Sequence, residues 1–126
     1  MMNKITNPLF AATEKAYLEF VLQHEFSERN VVLDQLNSMN EDDITRDISP
    51  YYWIMEFRPN GINAGHGPMH PYIWIEVLHE AGIAPTEFSL YKRNGVVFEL
   101  EIYNADSSAM DLDIIMSGKI IVRSAE

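Results

Sequence analysis

The sequence predicts an α+β fold, two N-terminal helices packed on a five- to six-stranded antiparallel sheet. Three observations carry that reading. Apolar residues recur at three- and four-residue spacing only in the first forty positions, through Tyr17, Leu18, Val21 and Leu22 and then Val31, Val32, Leu36 and Met39. From Ile44 onward, short runs of β-branched and aromatic residues alternate with polar ones between clusters of Gly, Pro, Asn and Ser. With 126 residues, 47% of them hydrophobic, the chain holds enough apolar mass for one core and too little for two, so residues 1–126 read as a single domain.

Taken in order, Pro8 marks the approach to the first helix, Thr13 is its expected cap, and the apolar pattern runs to His24. Ser27 is the expected cap of the second helix, which ends near Asn40, and the HEFS corner between them makes an αα-hairpin. Ile44 to Ile48 forms a short strand after the acidic run Glu41, Asp42 and Asp43. Tyr51 to Arg58 follows, apolar in part on both faces and therefore central. Residues 60–71, with Gly61, Gly65, Gly67, Pro68 and Pro71, form the one long loop. Tyr72 to Glu80 is the next strand, and AGIAP turns it into a hairpin, giving a continuous meander. Asp111 to Met116 and Lys119 to Arg123, on either side of Ser117-Gly118, read as a last hairpin or a bent edge strand.

The hairpin Glu87 to Asn104 is the most informative stretch. A two-residue Asn94-Gly95 turn sets Leu90 opposite Glu99, whereas a three-residue Arg93-Asn94-Gly95 loop sets Leu90 opposite Phe98 and Phe88 opposite Leu100. The second register gathers Phe88, Leu90, Phe98, Leu100 and Ile102 on one buried face. It leaves Glu87, Ser89, Tyr91, Val97, Glu99 and Glu101 on the other, with Glu87 directly across from Glu101. Like charges so placed destabilise a strand pair, so this face is either solvated or shaped to meet a positive partner. Trp74 and Glu76 on the preceding strand extend it, and Asp42 with Asp43 is a second candidate patch.

Nineteen acidic residues against nine basic ones give a net charge of -10, which argues against direct nucleic-acid binding, since phosphate contacts need a basic footprint, and favours cationic partners. No apolar run reaches the ~18 residues of a membrane span, and MMNKITNPLF lacks a secretory pattern, so the expected location is the cytoplasm. With no cysteine there is no thiol nucleophile or thiolate metal site. His66 and His70 stand four apart in the long loop, but Gly67-Pro68 between them forbids the helix that would aim both at one ion. A small metal-dependent enzyme or ligand-binding protein built on that loop is the competing reading. Glu99 and Glu101, about 7 Å apart on one strand face, have a glycosidase-like spacing without a cleft to raise one of them. There is no Gly-x-Ser-x-Gly elbow and no phosphate loop. No catalytic residue, cofactor or metal is expected.

Glu25, Phe26 and Arg29 at the helical corner form an acidic-Phe-x-x-Arg pattern, and Glu99, Leu100, Glu101, Ile102 and Tyr103 form Glu-Leu-Glu-hydrophobic-Tyr on a strand. In both, within Glu25 to Leu36 and Leu90 to Ser108, the chain resembles small acidic bacterial proteins of the immunity type, from contact-dependent growth inhibition and other polymorphic toxin systems. The resemblance implies an inhibitor without chemistry of its own, which binds a cognate toxin domain, expected to be a basic nuclease, and occludes its active site. The partner-binding residues that follow are Glu87, Tyr91, Glu99, Glu101, Trp74 and Glu76, with Asp42 and Asp43 in reserve.

Overall fold

A computed structural model describes residues 4–59, 65 and 67–125. Two helices, α1 (Ala12–Leu22) and α2 (Arg29–Asn37), precede a 3-10 turn (Glu41–Asp43) and the strands β1 (Ile44–Ile48), β2 (Tyr52–Phe57), β3 (His70–Leu78), β4 (Thr86–Arg93) and β5 (Val96–Asn104). A third helix, α3 (Leu112–Ser117), leads into β6 (Lys119–Ala125). The six strands form one antiparallel sheet in the order β1-β2-β5-β4-β3-β6, an α+β architecture.

Local chemistry sets the helix ends. Thr13 lies inside α1; the free Ala11 N–H donates instead to Glu14 Oε1 at 2.8 Å, so Glu14 closes the first turn from the N3 position. The same carboxylate takes the Arg46 guanidinium from β1 at 2.6 Å, which pairs a nearly buried charge and ties the helix to the sheet edge. At the corner, Arg29 Nη1 donates to the Leu22 carbonyl at 2.7 Å, satisfying an orphan acceptor at the end of α1. Glu28, one residue beyond the expected Ser27, is the residue before α2 and takes the left-handed conformation (φ 64°) that turns the chain.

Chain order and strand order differ in a way the alternation of residues does not reveal. β3 is separated from β2 by β5 and β4, so β3-β4-β5 is a meander that returns to place β5 beside β2, and the expected continuous meander is corrected to this order. Residues 111–117 are corrected from strand to helix: the Asp111 side chain accepts from the Asp113 and Ile114 amides at 3.0 and 3.3 Å, an N-cap that commits the following turn.

The hairpin adopts neither expected register along its body. Asn94 and Gly95, both at positive φ (51° and 77°), make the two-residue turn and pair Arg93 with Val96 and Lys92 with Val97. A bulge at Phe98 then shifts the pairing, so Leu90 lies opposite Leu100 and Phe88 opposite Ile102. Val97, Phe88, Leu90, Leu100 and Ile102 are buried, and Phe98 is displaced from their row to lie 4.0 Å beneath the Arg93 guanidinium. Both helices cover this inner face: Tyr17 packs edge-on to Trp53 and Phe88, Phe20 meets Phe88 at 4.7 Å between ring centroids, and Phe26 meets Tyr72 at 5.7 Å. Val32, Leu33 and Leu36 of α2 join the same core.

Candidate functional site

The opposite, outer face of the central strands is ordered by the observed pairing into rows that cross the sheet. One row runs Glu56, Glu99, Tyr91, Pro71; the next runs Ile54, Glu101, Ser89, Trp74; the third runs Tyr52, Tyr103, Glu87, Glu76. Glu87 is therefore opposite Tyr103, and the expected clash with Glu101 is removed by the two-residue turn and the bulge together; its acidic neighbour is Glu76 on the other side. Ser89, small and nearly buried, forms the floor of a hollow of about 240 Å3 walled by Trp74, Tyr91, Tyr103, Pro71 and Glu87. Trp74 and Tyr103 are 39% and 36% exposed, which is high for large aromatic side chains on interior strands and leaves their rings open to a partner.

Hydrogen bonding holds this hollow in shape. Trp74 Nε1 donates to Glu87 Oε1 at 3.2 Å, linking the side chains of β3 and β4. The Tyr103 hydroxyl keeps its proton to a higher pH than an ordinary tyrosine, through partial burial first and then the charges of Glu87, Tyr91 and Glu101.

The carboxylates of the expected array divide into different states. Glu99 is only 7% exposed, and its pKa is pushed up to about 8, by burial first, then by its hydrogen bond with Glu101 and the charges of Glu101 and Glu56, against the opposing Arg93 guanidinium. At neutral pH it is predominantly a neutral acid, so it adds shape and a hydrogen bond to the face and little charge. Glu76 is engaged by Arg123 of β6, whose Nε donates at 2.8 Å and whose Nη2 bonds to the same oxygen. Glu87 and Glu101 carry the negative character of the hollow.

The second patch comes apart. Asp43 is 5% exposed and accepts from the Asn40 amide at 2.8 Å, closing the 3-10 turn, while Asp42 is exposed beside β1, two strands away from β5. His66 lies outside the described residues, and His70 opens β3 on the surface. Among the described residues, no three His, Cys, Asp or Glu side chains converge as metal ligands. In the corner pattern, Phe26 is a core residue and Arg29 a helix-end cap, so both have structural work independent of any partner.

A larger hollow of about 400 Å3 lies at the β3–β6 end, between Leu78, His79, Glu80, Ile83, Ile114, Ser117, Gly118 and Lys119. Two of its polar side chains are engaged: His79 Nε2 is 3.0 Å from Thr86 Oγ1, which donates to Asn104 Oδ1 at 2.6 Å, and the Ser117 hydroxyl donates to the Ile114 carbonyl. The His79–Thr86–Asn104 bonds tie the β3–β4 turn to the end of β5.

Tyr103 and Ser89 are the residues that the expected register misassigned or left out of the site. The signal for Tyr103 was present, because period-two alternation puts it on the same face as Glu99 and Glu101. Among the described residues, no helix is long and apolar enough to cross a membrane. No family model matches this sequence, and neither the curated proteins nor the solved structures contain a match to it.

Proposed function

We propose that this chain is an immunity-type inhibitor that binds a basic toxin domain, a nuclease being the fitting class, through the outer face of β3, β4 and β5. One observation carries the reading: that face sets exposed aromatic rings around unneutralised carboxylates on rigid interior strands, an arrangement the fold does not require. Tyrosine and tryptophan on strands give contact area at low entropic cost, and Glu87 and Glu101 supply the field that draws a cationic active-site surface to them. The net charge of -10 favours fast, steered association over a range set by the ~8 to 10 Å screening length at physiological salt.

The test is affinity capture of partners from the native host at low and high salt, with the parent chain and with Glu87→Lys/Glu101→Lys. The expected result is one basic protein, toxic when expressed alone, retained by the parent at low salt and released by either salt or charge reversal. A partner bound equally by the parent and the double variant overturns the assignment of this face. A captured partner that is harmless alone overturns the immunity reading.

A further inference from the structure

The hollow over Ser89 has more definition than a charged patch needs, and its chemistry specifies what enters it. Its walls come from three adjacent strands: Trp74 from β3, Tyr91 and Glu87 from β4, and Tyr103 from β5. Trp74 and Tyr103 stand in neighbouring rows on β3 and β5, two strand spacings across and two residues along, roughly 12 Å apart at the backbone, and both line the hollow. At about 240 Å3 the hollow is smaller than the ~300 to 1,000 Å3 of sites that enclose a whole small-molecule ligand, and it suits a single side chain. Aromatic faces attract cations, most strongly at tryptophan. Glu87 gives one oxygen to Trp74 Nε1–H and keeps its other oxygen for a donor entering from solvent. Glu101 lies directly across Ser89 from Trp74, so carboxylates stand on two sides of the floor.

We propose that this hollow receives one arginine side chain of the partner, the guanidinium stacked between the rings of Trp74 and Tyr103 and hydrogen-bonded through its edge to Glu87. The inference rests on the outer face being the docking surface and adds which group anchors there. A guanidinium fits better than an ammonium because it is flat, carries its donors in its plane, and is weakly hydrated, so its faces stack while its edge bonds a carboxylate. A shallow bowl on a sheet offers walls and a floor without a lid, and that geometry suits a plate better than a sphere such as a quaternary ammonium.

The test uses the full chain, 15N-labelled, with N-acetyl-arginine amide as the probe and the indole N–H resonances of Trp74 and Trp53 as readouts, the former assigned with Trp74→Phe. N-acetyl-citrulline amide, nearly the same shape without the charge, and tetramethylammonium are the comparisons. The expected result is a saturable shift of the Trp74 indole with arginine amide and none at Trp53, which faces the helices. Glu87→Gln and Tyr103→Leu should each weaken it at least about five-fold, while an unmoved Trp53 resonance shows that the fold persists. No saturation up to about 0.1 M, an equal response to citrulline amide, or tighter binding of tetramethylammonium each overturns the arginine pocket. Its failure is separable from failure of the docking face: a partner lost on Glu87→Lys/Glu101→Lys but retained by Trp74→Ala leaves the face in place and removes only the pocket.

Discussion

The two faces of β4 and β5 share one backbone and differ in what their side chains answer to. Facing the helices, Phe88, Leu90, Leu100 and Ile102 are fully or almost fully buried, Phe88 against Tyr17 and Phe20. Facing outward, Glu87, Tyr91, Glu101 and Tyr103 alternate with them and are half-buried or exposed. Burial alone accounts for the inner set, because each apolar side chain removed from water stabilises the fold. It does not account for the outer set, since a solvated sheet face needs only polarity, and a tryptophan and two tyrosines around a carboxylate exceed that need. The difference teaches that packing dictates the inner set and leaves the outer set unexplained.

The largest expected effect breaks the comparison most directly. Phe88→Ala removes a ring that touches Tyr17 and Phe20 at full burial, and should cost about 3 to 5 kcal/mol in urea unfolding. Tyr103→Leu on the outer face should change stability by no more than about 1 kcal/mol. Equal costs for the two would mean that the faces are not energetically distinct.

Next in size is Gly118→Ala, which tests whether the sheet edge is as tightly specified as its centre. A Cβ at this position would stand 2.5 Å from the Leu78 carbonyl oxygen and 2.5 Å from Val77 Cγ1, so the start of β6 must shift away from β3. A loss of about 1 to 3 kcal/mol is expected, with amide exchange accelerating first in residues 119–125 and little in β4 and β5. Acceleration spread evenly over all six strands would show that the edge and the centre open as one unit.

The sequence made the inner face legible and the outer face only partly so. Period-two alternation identifies Phe88, Leu90, Leu100 and Ile102 whichever strand lies opposite, because the face a residue occupies depends on its own strand. Cross-strand partners depend on pairing, and the two-residue turn together with one extra residue at Phe98 moved Glu87 from Glu101 to Tyr103. A bulge leaves no clear mark in composition, so neither candidate register contained it. The crossover after β2 was hidden for a related reason: local alternation does not encode strand order, and the Glu56–Glu99 adjacency exists only because β5 returns to β2. Asp111 could have been read as a cap, yet Leu112, Ile114 and Ile115 satisfy strand and helix patterns alike over so short a span.

The smallest effect is expected from Glu99→Gln at low pH, and it probes the one carboxyl group that belongs to both faces of the argument. Glu99 sits in an outer row but is buried like an inner residue, and its folded-state pKa of about 8 lies above the 4.5 of the unfolded chain. Below pH 4.5 both states hold the proton and this group's contribution is fully present. Between 4.5 and 8 the unfolded state releases the proton while the folded state retains it, so the contribution declines as pH rises, and above 8 it is gone. Glutamine keeps a donor for Glu101 and cannot ionise, so the variant should match the parent near pH 4 and exceed its stability increasingly up to pH 8 or 9. The other carboxylates titrate in both proteins, and the difference between the two urea-midpoint profiles isolates Glu99. A difference that stays constant from pH 4 to 9 would mean that Glu99 ionises like an exposed glutamate. The outer face would then hold three charged residues around Tyr91 and Ser89, and repulsion among Glu56, Glu99 and Glu101 would be opposed only in part by the Arg93 guanidinium.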